Sequence, residues 1–192
     1  MCHTNGVEGI DTPKTTMESL EILIEKAKNR DNGAFWEIFD LLEPRLFSYA
    51  CSHVGKREDA IDITQEAFID IWKGLKKFSY RTTEEFYGFV FLILKRKIAR
   101  YYKEKKETIS IEEKEIDFGV SEEHEDYRFL LRHIESLSEK YQEILRLRYW
   151  GGLKLAEAAV MLGIEEGAAK VRHYRALKEL REKILEFPIS NI

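Results

Sequence analysis

Residues 153–186 read LKLAEAAVML (153–162), GIE (163–165) and EGAAKVRHYRALKELREKILE (166–186): a short apolar segment, a glycine-led turn and a longer basic segment. The spacing predicts a short helix, a tight turn at Gly163-Ile164-Glu165 and a second helix, together a helix-turn-helix. On the second helix Ala169, Ala176, Leu177, Leu180 and Ile184 recur at helical spacing and form the predicted packing face. Opposite them stand Ala168, Val171, Arg172, Arg175 and Lys178. Cationic heads there suit phosphates or guanine edges, while the small Ala168 and Val171 permit close approach and contact with a thymine methyl. The plainer alternative is a solvated basic face, and the glycine turn and one-sided pattern weigh against it.

Working outward from this motif, helical apolar spacing recurs along the chain and the only prolines are Pro13, Pro44 and Pro188, so an all-α fold is expected. Capping boxes at Thr15/Glu18, Thr82/Glu85 and Ser136/Glu139 mark helix starts. Helices are predicted at 16–29, 33–42, 44–54, 57–76, 83–105, 128–135, 138–149, 153–162 and 166–186. Residues 1–14 read as a disordered tail, and Met17 before an amphipathic helix is a candidate translation start.

Charge divides the chain. Residues 1–103 carry 16 basic and 16 acidic side chains, 104–127 carry 3 and 10, and 128–192 carry 12 and 9, giving the net −4. Nearly all the acidity therefore sits in Glu104–Tyr127, which reads as a flexible linker between two small helical domains. The expected organisation is a tail at 1–14, a domain at 15–106, the acidic linker at 107–127 and a helix-turn-helix domain at 128–187. Basic clusters at Lys95–Lys106 and Lys170–Lys183 put one cationic surface on each domain.

Two further constellations lie in the first domain. Arg96, Arg100 and Lys103 share one helical face, with Leu94, Ile98, Tyr101 and Tyr102 roughly opposite. The nearby Phe78, Tyr80 and Tyr87 suit unstacked bases, and they equally suit a core. Asp62, Gln65 and Glu66 project together as an acidic and polar patch fitting a basic protein partner, with Ile61, Phe68, Ile71, Trp72 and Leu75 packing behind. Taken alone, that patch is also an ordinary solvated helix face.

Composition removes other classes. The longest apolar run, Phe89–Leu94, is six residues, against about 20 for a membrane-spanning helix, so no membrane insertion is expected. No signal-peptide pattern opens the chain, and Cys2 and Cys51 are too few for a disulfide framework. A reduced, cytoplasmic location follows. No catalytic motif, metal site or cofactor site is expected. Cys51 and His53 are too few ligands for a metal, and no phosphate-binding glycine loop, HExxH or CxxC occurs.

These residues resemble a family, the bacterial RNA polymerase sigma factors of the extracytoplasmic-function type. The stretch Asp59-Ala60-Ile61-Asp62-Ile63-Thr64-Gln65-Glu66-Ala67-Phe68 with Trp72 resembles region 2.2, and Phe86-Tyr87-Gly88-Phe89-Val90 resembles the start of the region 2.3–2.4 helix. Glu143–Tyr149, Gly152-Leu153, Leu162-Gly163-Ile164 and Glu166-Gly167 resemble region 4. The resemblance covers residues 17–186. It implies that Asp62, Gln65 and Glu66 bind the β′ coiled coil of core RNA polymerase, while region 4 meets the β flap. Tyr80, Tyr87, Arg96, Arg100 and Lys103 would meet and open the −10 element of promoter DNA. Ala168, Val171, Arg172, Arg175 and Lys178 would read the −35 element. The linker would span the polymerase, its charge mimicking a nucleic-acid strand. An anti-sigma factor is the implied regulator, and the chemistry belongs to the polymerase.

Departures from the family pattern fall on positions expected to face DNA. Arg96 and Arg100 stand where Asn and Asp are usual, Phe89 for Trp, and Tyr87 for Arg, so promoter sequence does not transfer. Ala158 and Ala169 replace the usual branched aliphatics in the helix-turn-helix core, which brings the helices closer or leaves small cavities, and His173 takes a usual Leu position. Two other classes remain: a free-standing helix-turn-helix regulator, and a sigma-like decoy that binds an anti-sigma factor.

Overall fold

The computed structural model describes residues 17–54, 56–108 and 125–186, with side chains over 20–54, 56–105 and 130–186. Every regular element among them is helical: α1 Met17–Lys28, α2 Asn32–Cys51, α3 Arg57–Leu75, α4 Thr83–Thr108, α5 Glu125–Glu135, α6 Glu139–Leu145, a π-helical turn Arg146–Trp150, α7 Leu155–Leu162 and α8 Glu166–Glu186. The tail at 1–14, the Thr15/Glu18 capping box and most of the acidic linker lie outside the described residues.

The first unit, α1–α4, packs in sequence order. Asp31 starts α2 by accepting the Ala34 N–H at 3.1 Å, as an N-cap should. The break expected near Pro44 does not occur, and α2 runs through it. An interior proline costs about 3 kcal/mol, but Ile38, Leu42, Leu46 and Tyr49 form one fully buried stripe across it. Each such side chain contributes roughly 1.5–3 kcal/mol, so packing outweighs the missing hydrogen bond. Against this stripe lie Ile63, Ala67, Phe68 and Ile71 of α3 and Phe86, Val90, Phe91 and Leu94 of α4. Thr82 caps α4 as expected, accepting the Glu85 N–H at 3.2 Å.

The second unit, α5–α8, departs from expectation at one cap. Ser136 does not start α6: its hydroxyl turns back to the His133 carbonyl at 2.7 Å, and the helix begins after Ser138. The helix predicted over 138–149 is α6 followed by the π-helical turn. Between α7 and α8, Gly163 adopts φ 63°, the left-handed conformation that glycine takes without a Cβ penalty. The Gly163 and Ile164 N–H groups then close α7 on the Val160 and Ala159 carbonyls. Ala158 and Ala169 are both fully buried.

The two units dock on each other. α4 on α7 is the most extensive helix pair among the described residues. Close approach requires glycine at position 151, where a Cβ would come within 2.8 Å of both the Phe91 ring and the Leu147 carbonyl oxygen.

Candidate nucleic-acid interface

The α3 face stands as the spacing predicts, with Asp62, Gln65 and Glu66 all exposed. Ile69, one turn on, shares that face and is 53% exposed, an apolar centre for an otherwise polar patch. Its position was readable from the i, i+3, i+4, i+7 series, but attention to charge passes over it. Lys97 reaches across from α4 to Glu66 at 3.2 Å and Asp70 at 2.7 Å. The hydrogen bond to Asp70, and then the one to Glu66, hold its ammonium above the usual lysine range. A groove between α3 and α4 follows, lined by Asp59, Asp62, Glu66, Lys97, Arg100 and Glu104. Tyr101 closes its end: the phenol donates to Asp59 at 2.6 Å, and burial followed by that bond raises its pKa.

The basic face of α4 divides. Arg96, Arg100 and Lys103 are all exposed, but Arg100 is held by Glu104 at 2.7 Å. Tyr80 is half-buried, its hydroxyl 3.1 Å from that of Thr83. Phe78 belongs to the core, stacked on Phe89 at 4.7 Å and edge-on to Phe86 at 5.9 Å. Tyr87, expected to face DNA, is only 6% exposed. The Arg45 guanidinium lies 4.2 Å over its ring, and burial raises its phenol pKa. The physical reason is Arg45 of α2, laid over the ring and held there by the Gly151 and Gly152 carbonyls of the second unit, which no local pattern announces.

On α8, Ala169, Ala176 and Leu180 are buried and Ile184 is half-buried, as the stripe predicts. Leu177 does not join them and is 37% exposed, because it lies at the stripe's edge where no helix covers it. Ala168, Val171, Arg175 and Lys178 are exposed, while Arg172 is half-buried at the flank of the face. Tyr174, absent from the expected set, is the most exposed large hydrophobic side chain described on α8, at 70%. It sits at i+3 from Val171 and i−4 from Lys178, a spacing already present in the sequence. Lys170 and Lys178 pair with Glu166 at 2.7 Å and Glu182 at 3.9 Å on their own helix. His173 packs by the Tyr149 ring, centroids 5.8 Å apart, and burial and then the Arg148 charge lower its basicity.

The joint between the units holds polar groups to which the sequence reading gave no role there. Glu143 of α6, 7% exposed, accepts from Tyr49 at 2.9 Å and from Lys95 at 2.7 Å. His53 lies 3.7 Å from the same carboxylate. Burial first, then the charges of Arg146 and Lys95, push its pKa down to about 3, so the ring is neutral and that contact is no ion pair at pH 7. Arg45 donates to the carbonyls of Gly151 at 2.9 Å and Gly152 at 2.6 Å and lies 3.6 Å from Glu157. Glu157 in turn accepts the Lys154 N–H that starts α7, at 2.7 Å. Among the described residues no three His, Cys, Asp or Glu side chains converge as metal ligands, and no helix is long and apolar enough to cross a membrane.

Comparison with known proteins places two family descriptions on these two units in chain order. Sigma-70 region 2 matches residues 38–108, and sigma-70 region 4 matches residues 130–180. The chain is 28% identical over 167 residues to the ECF RNA polymerase sigma factor BldN of Streptomyces coelicolor; the match takes in 82% of this chain and 63% of BldN, so the chain spans under two thirds of that relative. It is 29% identical over 175 residues to the ECF RNA polymerase sigma factor SigF of Caulobacter vibrioides, covering 88% of this chain and 96% of the other. In fold it is similar to CnrH, solved in complex with the cytosolic domain of CnrY, with TM-score 0.65, 20% identity, and 87% and 97% of the two chains covered.

Proposed function

The chain belongs to the sigma-70 family of RNA polymerase sigma factors, of the extracytoplasmic-function type, and from that premise we propose that it binds core RNA polymerase and directs it to promoters whose −10 segment it opens. The observation that carries this reading is the order and spacing of two matched helical units, each presenting a basic helix, with an acidic face on α3 of the first. Asp62, Gln65 and Glu66, centred on Ile69, take the basic coiled coil of the polymerase β′ subunit, and the second unit takes the β flap. Arg96, Arg100, Lys103 and Tyr80 meet the −10 DNA, joined by Tyr87 once it is uncovered. Ala168, Val171, Arg175, Lys178 and, at the flank, Arg172 meet the −35 duplex, and Tyr174 belongs with them. The protein is not an enzyme; it supplies positioning and strand separation, and bond-making is the polymerase's. A cytoplasmic location and control by an anti-sigma protein fit this role.

Run-off transcription from a library of genomic fragments tests the reading. Core polymerase with this protein is expected to give discrete promoter-dependent transcripts that core alone does not. Sequence-specific DNA binding by the protein alone, with no dependence on polymerase, would instead identify a free-standing regulator. Binding to an anti-sigma protein with no transcripts would identify a decoy.

A further inference from the structure

The carboxylates of the α3 face share a cation from their own chain. Glu66 and Asp70 stand one turn apart on α3, a spacing at which like charges repel. The Lys97 ammonium of α4 reaches both, at 3.2 Å and 2.7 Å. The three side chains differ in depth: Lys97 is 16% exposed, Asp70 42% and Glu66 56%. The cation therefore lies under the acids, whose outer edges stay open to water and to a partner. Arg100, the other cation lining this groove, is engaged by Glu104 of its own helix at 2.7 Å. By sequence Lys97 is one more member of the basic run Lys95–Lys106. Only the packing of α4 on α3 turns it away from that run's other cations and onto the acidic face.

We propose that Lys97 is a resident counter-ion of the partner-binding face: it holds the place on Glu66 and Asp70 that a basic group of the polymerase coiled coil takes in the complex, so that binding exchanges one cation for another and Lys97 sets how strongly basic a partner must be. The proposal rests on the role assigned to α3 above. Two physical features carry it. An ion pair open to water at its acid end gains little net free energy, so an incoming cation can share or take the carboxylate at small cost. A fixed positive charge behind the face also weakens its attraction for every cation. Loosely held polycations lose most by this, while a partner that sets a cation directly on Glu66 still binds, which is discrimination through a repulsive element.

Lys97→Met tests this by removing the charge while keeping an unbranched side chain. The full-length variant should retain helicity by circular dichroism and bind core polymerase about fivefold more tightly at low salt, the change expected from deleting one like charge about 4 Å away in water. The gain should come mainly from faster association and shrink as salt is raised. Lys97→Arg, which restores the charge, should bind as the wild type does. Glu66→Gln separates competition from support of the fold: its cost should be larger in the Lys97→Met background, because in the wild type part of that carboxylate's charge is already neutralised. Should Lys97→Met lose helicity, Lys97→Gln takes its place with the same expectations. Three results would overturn the proposal: no gain in core affinity, a gain that salt leaves unchanged, or a Glu66→Gln cost that is no larger without Lys97. A short oligolysine peptide titrated onto the free chain keeps this separate from the polymerase reading. Lys97→Met should bind it more tightly by a similar factor, and adding Glu66→Gln should erase the gain. If oligolysine behaves so while core polymerase binds neither chain, the function proposed above falls and the counter-ion stands. If core polymerase binds both chains equally and oligolysine shows no gain, the counter-ion falls and the function stands.

Discussion

The two basic helices differ in what lies over them. α4 carries Tyr87 under Arg45 at 6% exposure, whereas α8 carries Tyr174 at 70%. Both were equally conspicuous as charge runs, with seven basic residues over 95–106 and six over 170–183. The difference teaches that cation density places a nucleic-acid face but does not say whether it is open. Openness is set by packing between distant parts of the chain, and here the second unit leaves its own face free while covering part of the first.

The largest expected effect acts on both faces alike. Asp62→Lys with Glu66→Lys should weaken binding to core polymerase by about 2–5 kcal/mol and lower promoter-dependent transcription from every promoter alike, whatever α4 and α8 contact. Equilibrium binding of labelled core to a variant of wild-type helicity measures this, and unchanged affinity would remove α3 from the account. The next effect separates base reading from anchoring on α8. Arg175→Ala should relax preference at one or two base pairs of a randomised −35 element, worth roughly 1–3 kcal/mol. Lys178→Ala should weaken all promoters nearly equally. Equal, uniform losses for both would reduce α8 to an electrostatic anchor.

A third effect belongs only to the covered face. The His53 ring is faced by Tyr49 of α2, Lys95 of α4, Glu143 of α6 and Arg146 of the π-helical turn, and its backbone carbonyl accepts from Tyr102 of α4. Its pKa is depressed to about 3 from 6.5, so the docked form holds the ring neutral while an opened, hydrated ring takes up a proton. The contribution of His53 to docking is therefore fully present well above pH 6.5 and is lost as pH falls through and below that value, by about tenfold at one unit below. The Lys95 ammonium and Glu143 carboxylate, 2.7 Å apart across the joint, can be joined by a carbodiimide; the wild-type yield divided by that of His53→Gln at each pH from 7.5 to 5.5, which cancels the reagent's own acceleration in acid, should decline, and a ratio that rises on acidification would contradict the sign. The smallest effect returns to α4. Lys103→Ala should reduce the salt slope of promoter binding by about one without changing sequence preference, and an altered preference would make Lys103 a base reader instead.

What was legible in the sequence was whatever one helix decides by itself. The Asp62, Gln65, Glu66 face and the exposed Ala168, Val171, Arg175, Lys178 series follow from 3.6-residue spacing, and Gly163 follows from the turn's need for positive φ. Ile69 and Tyr174 were equally legible, but a search led by charge and polarity leaves apolar members of a polar face unnamed. Other features were not local. Arg45 meets Gly151 at a separation of 106 residues and Tyr49 meets Glu143 at 94; neither has a periodic signature. Pro44 inside α2 misled because the rule against interior proline ignores a buried stripe that continues across it. Ser136 misled because its hydroxyl had a nearer carbonyl to satisfy.

The central claim is that this chain opens promoter DNA as part of the polymerase and not by itself. Permanganate reactivity of thymines on a promoter identified by run-off transcription tests it most directly. The account predicts reactive, unpaired thymines near the −10 element with core polymerase and this protein together, and none with either alone. Reactive thymines with the protein alone, or none with the assembled complex, would contradict it.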